Sequence, residues 1–203
     1  MPTINYLTRI EFDFEAISGL GAEIERMGLK RPLLVTDRGI ADAGILQRAL
    51  DTAAPSRPVV YDDTTENPTE QSLLECLEIW SAHGCDGVIA LGGGSPIDLA
   101  KAVALLTSHG GKLEDYNVKT GGSAGIGKVS PQIAIPTAAG TGAEVGRACV
   151  MSLLDGSKMV AVNLNMVADL VICDPELTLS LPPRLTAATG IDALSHGVET
   201  YCS

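Results

Sequence analysis

The stretch "VIALGGGSPIDLAKAVALL", Val88 to Leu106, decides how this chain is read. Val88, Ile89, Ala90 and Leu91 form an apolar run of the kind that fits a strand buried on both faces. Gly92, Gly93 and Gly94 then break the pattern and free the backbone for positive φ. Ser95 is placed to cap a helix, Pro96 suits the first helical position, and Asp98 stands where a reciprocal capping carboxylate belongs. Beyond them Ile97, Ala100, Lys101, Ala104 and Leu105 recur at helical spacing. The local reading is strand, glycine turn, helix N-terminus. Such a turn presents unpaired N–H groups at the positive end of a helix dipole, a seat for phosphate. It is equally the reading of a tight turn whose glycines only relieve steric crowding. Neither GxGxxG nor the P-loop pattern is present, so this stretch alone leaves both open.

Working outward, strand-like and helix-like segments alternate. "RPLLVTD" (31–37) and "SRPVVYDD" (56–63) read as strands, with "ADAGILQRAL" (41–50) as a helix between them. "TEQSLLECLEIWSAHG" reads as an amphipathic helix with Leu73, Leu74, Leu77 and Trp80 on one face and Gly84 as its stop. "QIAIPT" (132–137) is a further strand. Repeated β-then-α units imply an α/β fold with a mostly parallel sheet, whose ligands collect at the carboxyl ends of the strands. Asp37, Gly92–Ser95 and Thr137–Thr141 stand at such ends. From "DPELTLSLPPRLTAATG" onward helix signals replace strand signals, which marks the boundary of a second, helical domain.

A net charge of −11 disfavours nucleic acid and anionic membranes as partners, and leaves backbone amides as the natural phosphate donors. No apolar run is long enough to span a membrane, and "MPTINYLTRIEFDF" has no basic segment followed by an apolar one. Five cysteines, odd in number and without a CxxC pair, read as reduced packing residues of a cytoplasmic protein. His83 and His109 read as loop or helix-end histidines. In "TGIDALSHGVETY", Asp192 and His196 are four apart and share a helix face. An oxygen and a nitrogen donor so placed suit iron or zinc; an exposed pair or a capping contact is the alternative.

"GGGSPIDLAKA", "ENPT", "AIPTAAGTGAEV", "CDPELTLSLPPRLTAATG" and "GIDALSHGVETY", in this order and spacing, resemble the iron-dependent (group III) alcohol dehydrogenases. "YLTRIEFDFEAI" and "RPLLVTDRG" further resemble the 4-hydroxybutyrate dehydrogenase branch. The resemblance implies a dehydroquinate-synthase-like NAD-binding α/β domain over residues 1–180. The start of an all-helical metal domain would follow over 181–203, with the chain the N-terminal part of a longer enzyme. It puts pyrophosphate on Gly93, Gly94 and Ser95, with Asp98 as an anchor at the helix start. Asp37 would accept from the adenosine ribose hydroxyls and favour NAD over NADP. Asn67 would be a further cofactor contact. Thr137, Gly140 and Thr141 would line the pyrophosphate and nicotinamide, and Lys158 would reach the nicotinamide ribose. Thr178 and Leu181 would close the adenosine side.

Asp192 and His196 carry over as two of four ligands to ferrous iron, with zinc as the second candidate. Without the other two the chain alone is expected to be inactive. The implied reaction is hydride transfer between NAD and a primary alcohol or ω-hydroxy acid, 4-hydroxybutyrate among them, in a homodimer or larger assembly. Ala138 and Ala143 stand where the family commonly has Thr and Ser, removing two hydroxyls. Arg147 is a candidate clamp for a substrate carboxylate. Two other readings remain at this stage: a zinc enzyme like glycerol dehydrogenase on the same fold, and a nucleotide-binding module without chemistry.

Overall fold

Strand residues that point alternately to two buried faces account for the centre of this molecule. In a computed structural model, which describes residues 8–203, the strands β1 (Arg9–Phe12), β2 (Leu33–Val35), β3 (Val59–Tyr61), β4 (Val88–Gly92), β5 (Gln132–Pro136) and β8 (Leu170–Cys173) form one sheet in the order β1-β8-β5-β4-β2-β3. Every pairing in it is parallel. Parallel neighbours need crossover connections, and the crossovers cover both faces. Leu33, Val35, Val88 and Ala90 join one apolar cluster, while Leu34, Ile89, Leu91, Ile133 and Ile135 join another on the opposite side. This is period-two alternation with no solvent face, which is why the sequence shows continuous apolar runs. Residues 1–7, including Tyr6 and Leu7 of the N-terminal match and half of the stretch inspected for a leader, lie outside the described residues.

The helices are α1 (Leu20–Arg26), α2 (Arg38–Asp42), α3 (Ile45–Thr52), α4 (Glu70–His83), α5 (Gly94–His109) and α6 (Pro183–Cys202). Gly44, in the left-handed region, divides the helix expected over 41–50 into α2 and α3. Thr69 caps α4 by accepting from the Ser72 amide, and Gly84 ends it in the left-handed region. Leu73 and Cys76 are its buried contacts, and Leu74 faces out because it lies about 100° round the helix from Leu73. His83 and His109 are the last residues of α4 and α5. Among the described residues no helix is long and apolar enough to cross a membrane.

Besides α1 and β8, two further features lie outside the elements read from the sequence. One is the antiparallel hairpin β6 (Ala148–Ser152) and β7 (Lys158–Val162), a separate two-stranded sheet packed on α5. Between it and the main sheet, α5 is buried on nearly all sides from Pro96 to Leu106. The other is β1, paired along its length with β8 at the sheet edge. By contrast, α6 has no buried residue in its 20.

Strand order locates the site. After β3 the chain returns past β2 to β4 and then continues outward through β5, so the connections leave β2 and β4 in opposite directions. Such a reversal opens a crevice at the carboxyl ends of the two strands.

Candidate active site at the carboxyl ends of β2, β4 and β5

The glycine turn is tighter than the sequence implied. β4 runs through Gly92, whose φ is 144°, and α5 starts at Gly94 with Gly93 in the capping position. Ser95 is therefore the second helical residue and not the cap; no side chain caps this helix. The physical reason is Gly92 itself: turning there lets helical geometry begin two residues sooner. A Cβ on Gly92 would lie 2.8 Å from Pro96 Cγ, and the φ of 144° is one that L side chains rarely adopt, so the residue must be glycine on both counts. Pro96 still sits in the first turn, where a missing N–H costs no intrahelical bond. The first helical bond of α5 is Ile97 N–H to Gly93 O, 3.4 Å, which leaves the Gly94 and Ser95 amides at the open end of the dipole.

Asp98 likewise does not cap. Its Oδ2 accepts from the Val150 amide at 3.2 Å and so joins α5 to β6. Burial pushes its carboxyl up to about 6; the Val150 N–H and the Lys101 charge act in the opposite direction without cancelling it.

Asp37 follows β2 and caps α2, one oxygen accepting from the Ile40 amide at 3.0 Å. Its other oxygen is the one nearest Gly92, so the carboxylate stands beside the glycine turn across the crevice. Thr137 is buried at the end of β5, and its amide donates to Gly92 O at 3.1 Å. That bond ties the following loop to the same turn.

An open cleft of about 400 Å³ lies here, lined by Gly92–Gly94, Ile97, Ala138, Gly140–Glu144, Thr189 and Asp192. Of the residues singled out from the sequence, it brings together Gly93, Gly94, Gly140, Thr141 and Asp192. Gly140 makes the approach to α6: a Cβ there would lie 3.1 Å from Asp192 Oδ2 and 3.4 Å from Thr189 Cβ. Thr141 Oγ1 donates to Asp192 Oδ2 at 2.6 Å. His196 Nε2 is 3.6 Å from Asp192 Oδ1 on the same face of α6. One carboxylate and one imidazole are a donor pair that fits iron or zinc, though a tetrahedral set needs more. Among the described residues no group of three or more His, Cys, Asp or Glu is poised for a metal.

Other expected residues lie off the cleft lining. Lys158 Nζ donates to Asn67 Oδ1 at 3.1 Å and to Ser152 Oγ at 2.9 Å, so the two expected cofactor contacts are each other's partners. Asn67 holds the left-handed region, with φ 56°. Thr178 is exposed and donates to Pro175 O at 2.8 Å, while the Leu181 amide donates to Thr178 O at 3.1 Å. Arg147 is exposed and is not among the residues that line the cleft. The carbonyls on either side of it, of Gly146 and Ala148, accept from Lys101. Ala138 and Ala143, the two departures from the usual motif, both sit in the cleft wall. Sequence reasoning missed Glu144 and Thr189 as lining residues, and it missed Lys101. The signal for Lys101 was available, since a lysine recurred on an otherwise apolar helical stripe.

A family model described as iron-containing alcohol dehydrogenase matches residues 8–175. The chain is 48% identical over 202 residues to a 4-hydroxybutyrate dehydrogenase of Cupriavidus necator, covering 99% of this chain and 53% of that one. It is 36% identical over 214 residues to a 1,3-propanediol dehydrogenase of Citrobacter freundii, covering 100% and 52%. Among solved structures, a 1,3-propanediol oxidoreductase superposes with TM-score 0.88 at 32% identity, over 97% of this chain and 52% of that one. A sulfoacetaldehyde reductase from Bifidobacterium kashiwanohense in complex with NAD+ superposes with TM-score 0.81 at 33% identity, over 91% and 49%. The chain thus spans about half the length of the relatives it matches.

Proposed function

The chain belongs to the iron-containing alcohol dehydrogenase family, and on that premise we propose that it forms the dinucleotide-binding half of an NAD-dependent, metal-dependent dehydrogenase. The substrate is a primary alcohol or ω-hydroxy acid, interconverted with its aldehyde, and 4-hydroxybutyrate is the first candidate because of the 48% identical relative. One observation carries the reading: the glycine turn and Asp192 line a single cleft at the reversal of strand order. A cofactor site and a metal-ligand candidate therefore share one space.

Within that reading each residue has a task. Gly92–Gly94 let the backbone close on a pyrophosphate, and the Gly94 and Ser95 amides face it. Asp37 accepts from ribose hydroxyls and repels a 2′-phosphate, which favours NAD. Thr137 holds the β5 loop to the turn, while Gly140 and Thr141 form the wall toward the nicotinamide. Asn67 and Lys158 serve the ribose side together, as a hydrogen-bonded pair, and Thr178 and Leu181 border the adenosine side. Asp192 and His196 would hold the metal; when bound, the ion supplies Lewis acidity that favours the alkoxide form of the alcohol. Residues up to about 180 form the nucleotide domain, and α6 begins the metal domain. The protein acts in the cytoplasm as a homodimer or larger assembly.

The test is reduction of NAD by the natural protein, loaded anaerobically with ferrous iron, on 4-hydroxybutyrate, ethanol, 1-butanol and 1,3-propanediol. Turnover of 4-hydroxybutyrate with NAD and not NADP is the expected result. Activity confined to neutral alcohols would discard the hydroxy acid, and no turnover of any alcohol or aldehyde would discard the reaction class.

A further inference from the structure

Lys101 is the largest fully buried side chain in the core, 2% exposed, on a helix buried on nearly all sides. A buried ammonium is normally paired with a carboxylate. Among the described residues Lys101 has no ion pair within 4.0 Å. Its three protons go instead to three backbone carbonyls: Ala143 O at 2.6 Å, Ala148 O at 3.2 Å, and Gly146 O in the shortest contact of the three. An ammonium has three donors and no acceptor, so this set leaves none of its protons unused.

The three carbonyls belong to one segment, 143–148, which returns the chain from the cleft wall to β6. Ala143 joins the two, because it lines the cleft and gives its carbonyl to Lys101. Ile97, one turn before Lys101 on α5, lines the same cleft. One turn of α5 therefore forms part of the wall directly and holds the rest of it from behind. Asp98, between them, adds a second tie through the Val150 amide. The three N–H donors of the ammonium draw these carbonyls to one point of α5, and a side chain without donors leaves all three without that partner.

We propose that Lys101 is a positioning residue of the cleft, which fixes the Gly140–Glu144 wall against α5 by collecting the carbonyls of Ala143, Gly146 and Ala148. For its ligand this rests on the reading of the cleft as a dinucleotide site; for the loop it does not. Burial lowers the lysine's affinity for its proton, and the nearby Asp98 and Glu144 charges oppose that shift.

The experiment compares the natural protein with Lys101→Met and Lys101→Gln by amide hydrogen exchange and NADH titration. Met keeps the volume and removes every donor, whereas Gln keeps two. Exchange over 141–149 is expected to rise roughly tenfold in the Met variant and less in the Gln variant, with β4 unchanged. The NADH Kd should rise roughly tenfold in the Met variant and less in the Gln variant, although Lys101 does not line the cleft. The KM for NAD should rise in step. Unchanged exchange over 141–149, or acceleration spread evenly over the chain, would overturn the proposal and leave Lys101 a general core residue. If the natural protein does not bind NADH, the dinucleotide reading fails while the exchange comparison still decides the role of Lys101. Should the Met variant not fold, the Gln variant carries the same comparison.

Discussion

The two walls of the cleft are built on opposite principles. The glycine wall hangs on the sheet: β4 is buried at every residue, Thr137 is tied to Gly92 by its amide, and Lys101 secures the return of the loop. The α6 wall, carrying Asp192 and His196, has no buried residue, and Leu185, Ile191, Leu194 and Val198 are all exposed. It meets the glycine wall through Thr141 Oγ1 to Asp192 and through the close passage of Gly140. A surface fixed by core packing is preorganised before any ligand arrives, whereas one held by an exposed hydrogen bond is adjustable. Among the described residues the cofactor side of the cleft is thus fixed by core packing, and α6 meets it through these two contacts.

The sharpest way to break this contrast is Gly92→Ala. A Cβ at φ 144°, 2.8 Å from Pro96 Cγ, forces the turn apart. A loss of about 3 kcal/mol in chemical denaturation is expected, with loss of NADH binding. The same change at Gly94, where a Cβ meets nothing within 4 Å, should cost far less. Asp37→Ser comes next. Serine still caps α2, so stability should hold, while the preference for NAD over NADP falls by roughly tenfold on direct titration of both.

Asp98 tests whether the tie behind the rigid wall is electrostatic. Its folded value, about 6, lies above the ordinary 3.8, so the fold keeps a proton that the unfolded chain has released between those values. Stability therefore falls as pH rises from about 4 to about 6, by at most about 1.4 kcal/mol per pH unit. Asp98→Asn keeps an oxygen for the Val150 amide and should flatten that slope, read from urea midpoints across the window. Thr141→Val should have the smallest effect, about 1 kcal/mol at most. It should speed exchange in the part of α6 around Asp192 without moving the global midpoint; a shift of the whole transition would show α6 to be part of the rigid wall.

How much of this was legible in the sequence follows from whether the cause is local. Apolar runs at period two and helical stripes at 3.6 are local, so β2 to β5, α4 and α5 could be read off directly. So could the crevice, because strand ends with Asp37 and three glycines announce themselves. The hairpin β6–β7 was not legible, since its alternation is short and its stability comes from lying on α5. Ser95 and Asp98 were misassigned for a related reason. Both sit where a cap belongs by spacing, yet Gly92 starts the helix earlier and Val150, 52 residues away, takes the carboxylate.

By itself, then, the sequence determined the α/β class, the glycine turn, the helix that follows it and the pairing of Asp192 with His196 on one helical face, all of which depend on neighbours within a few residues. Only the tertiary structure decided that Asp192 meets Thr141 and Gly140 across the cleft, and that Lys101 is a buried donor to three carbonyls of a distant loop. Those outcomes depend on which backbone groups are brought together after the chain has crossed the sheet, and no spacing along the chain encodes that.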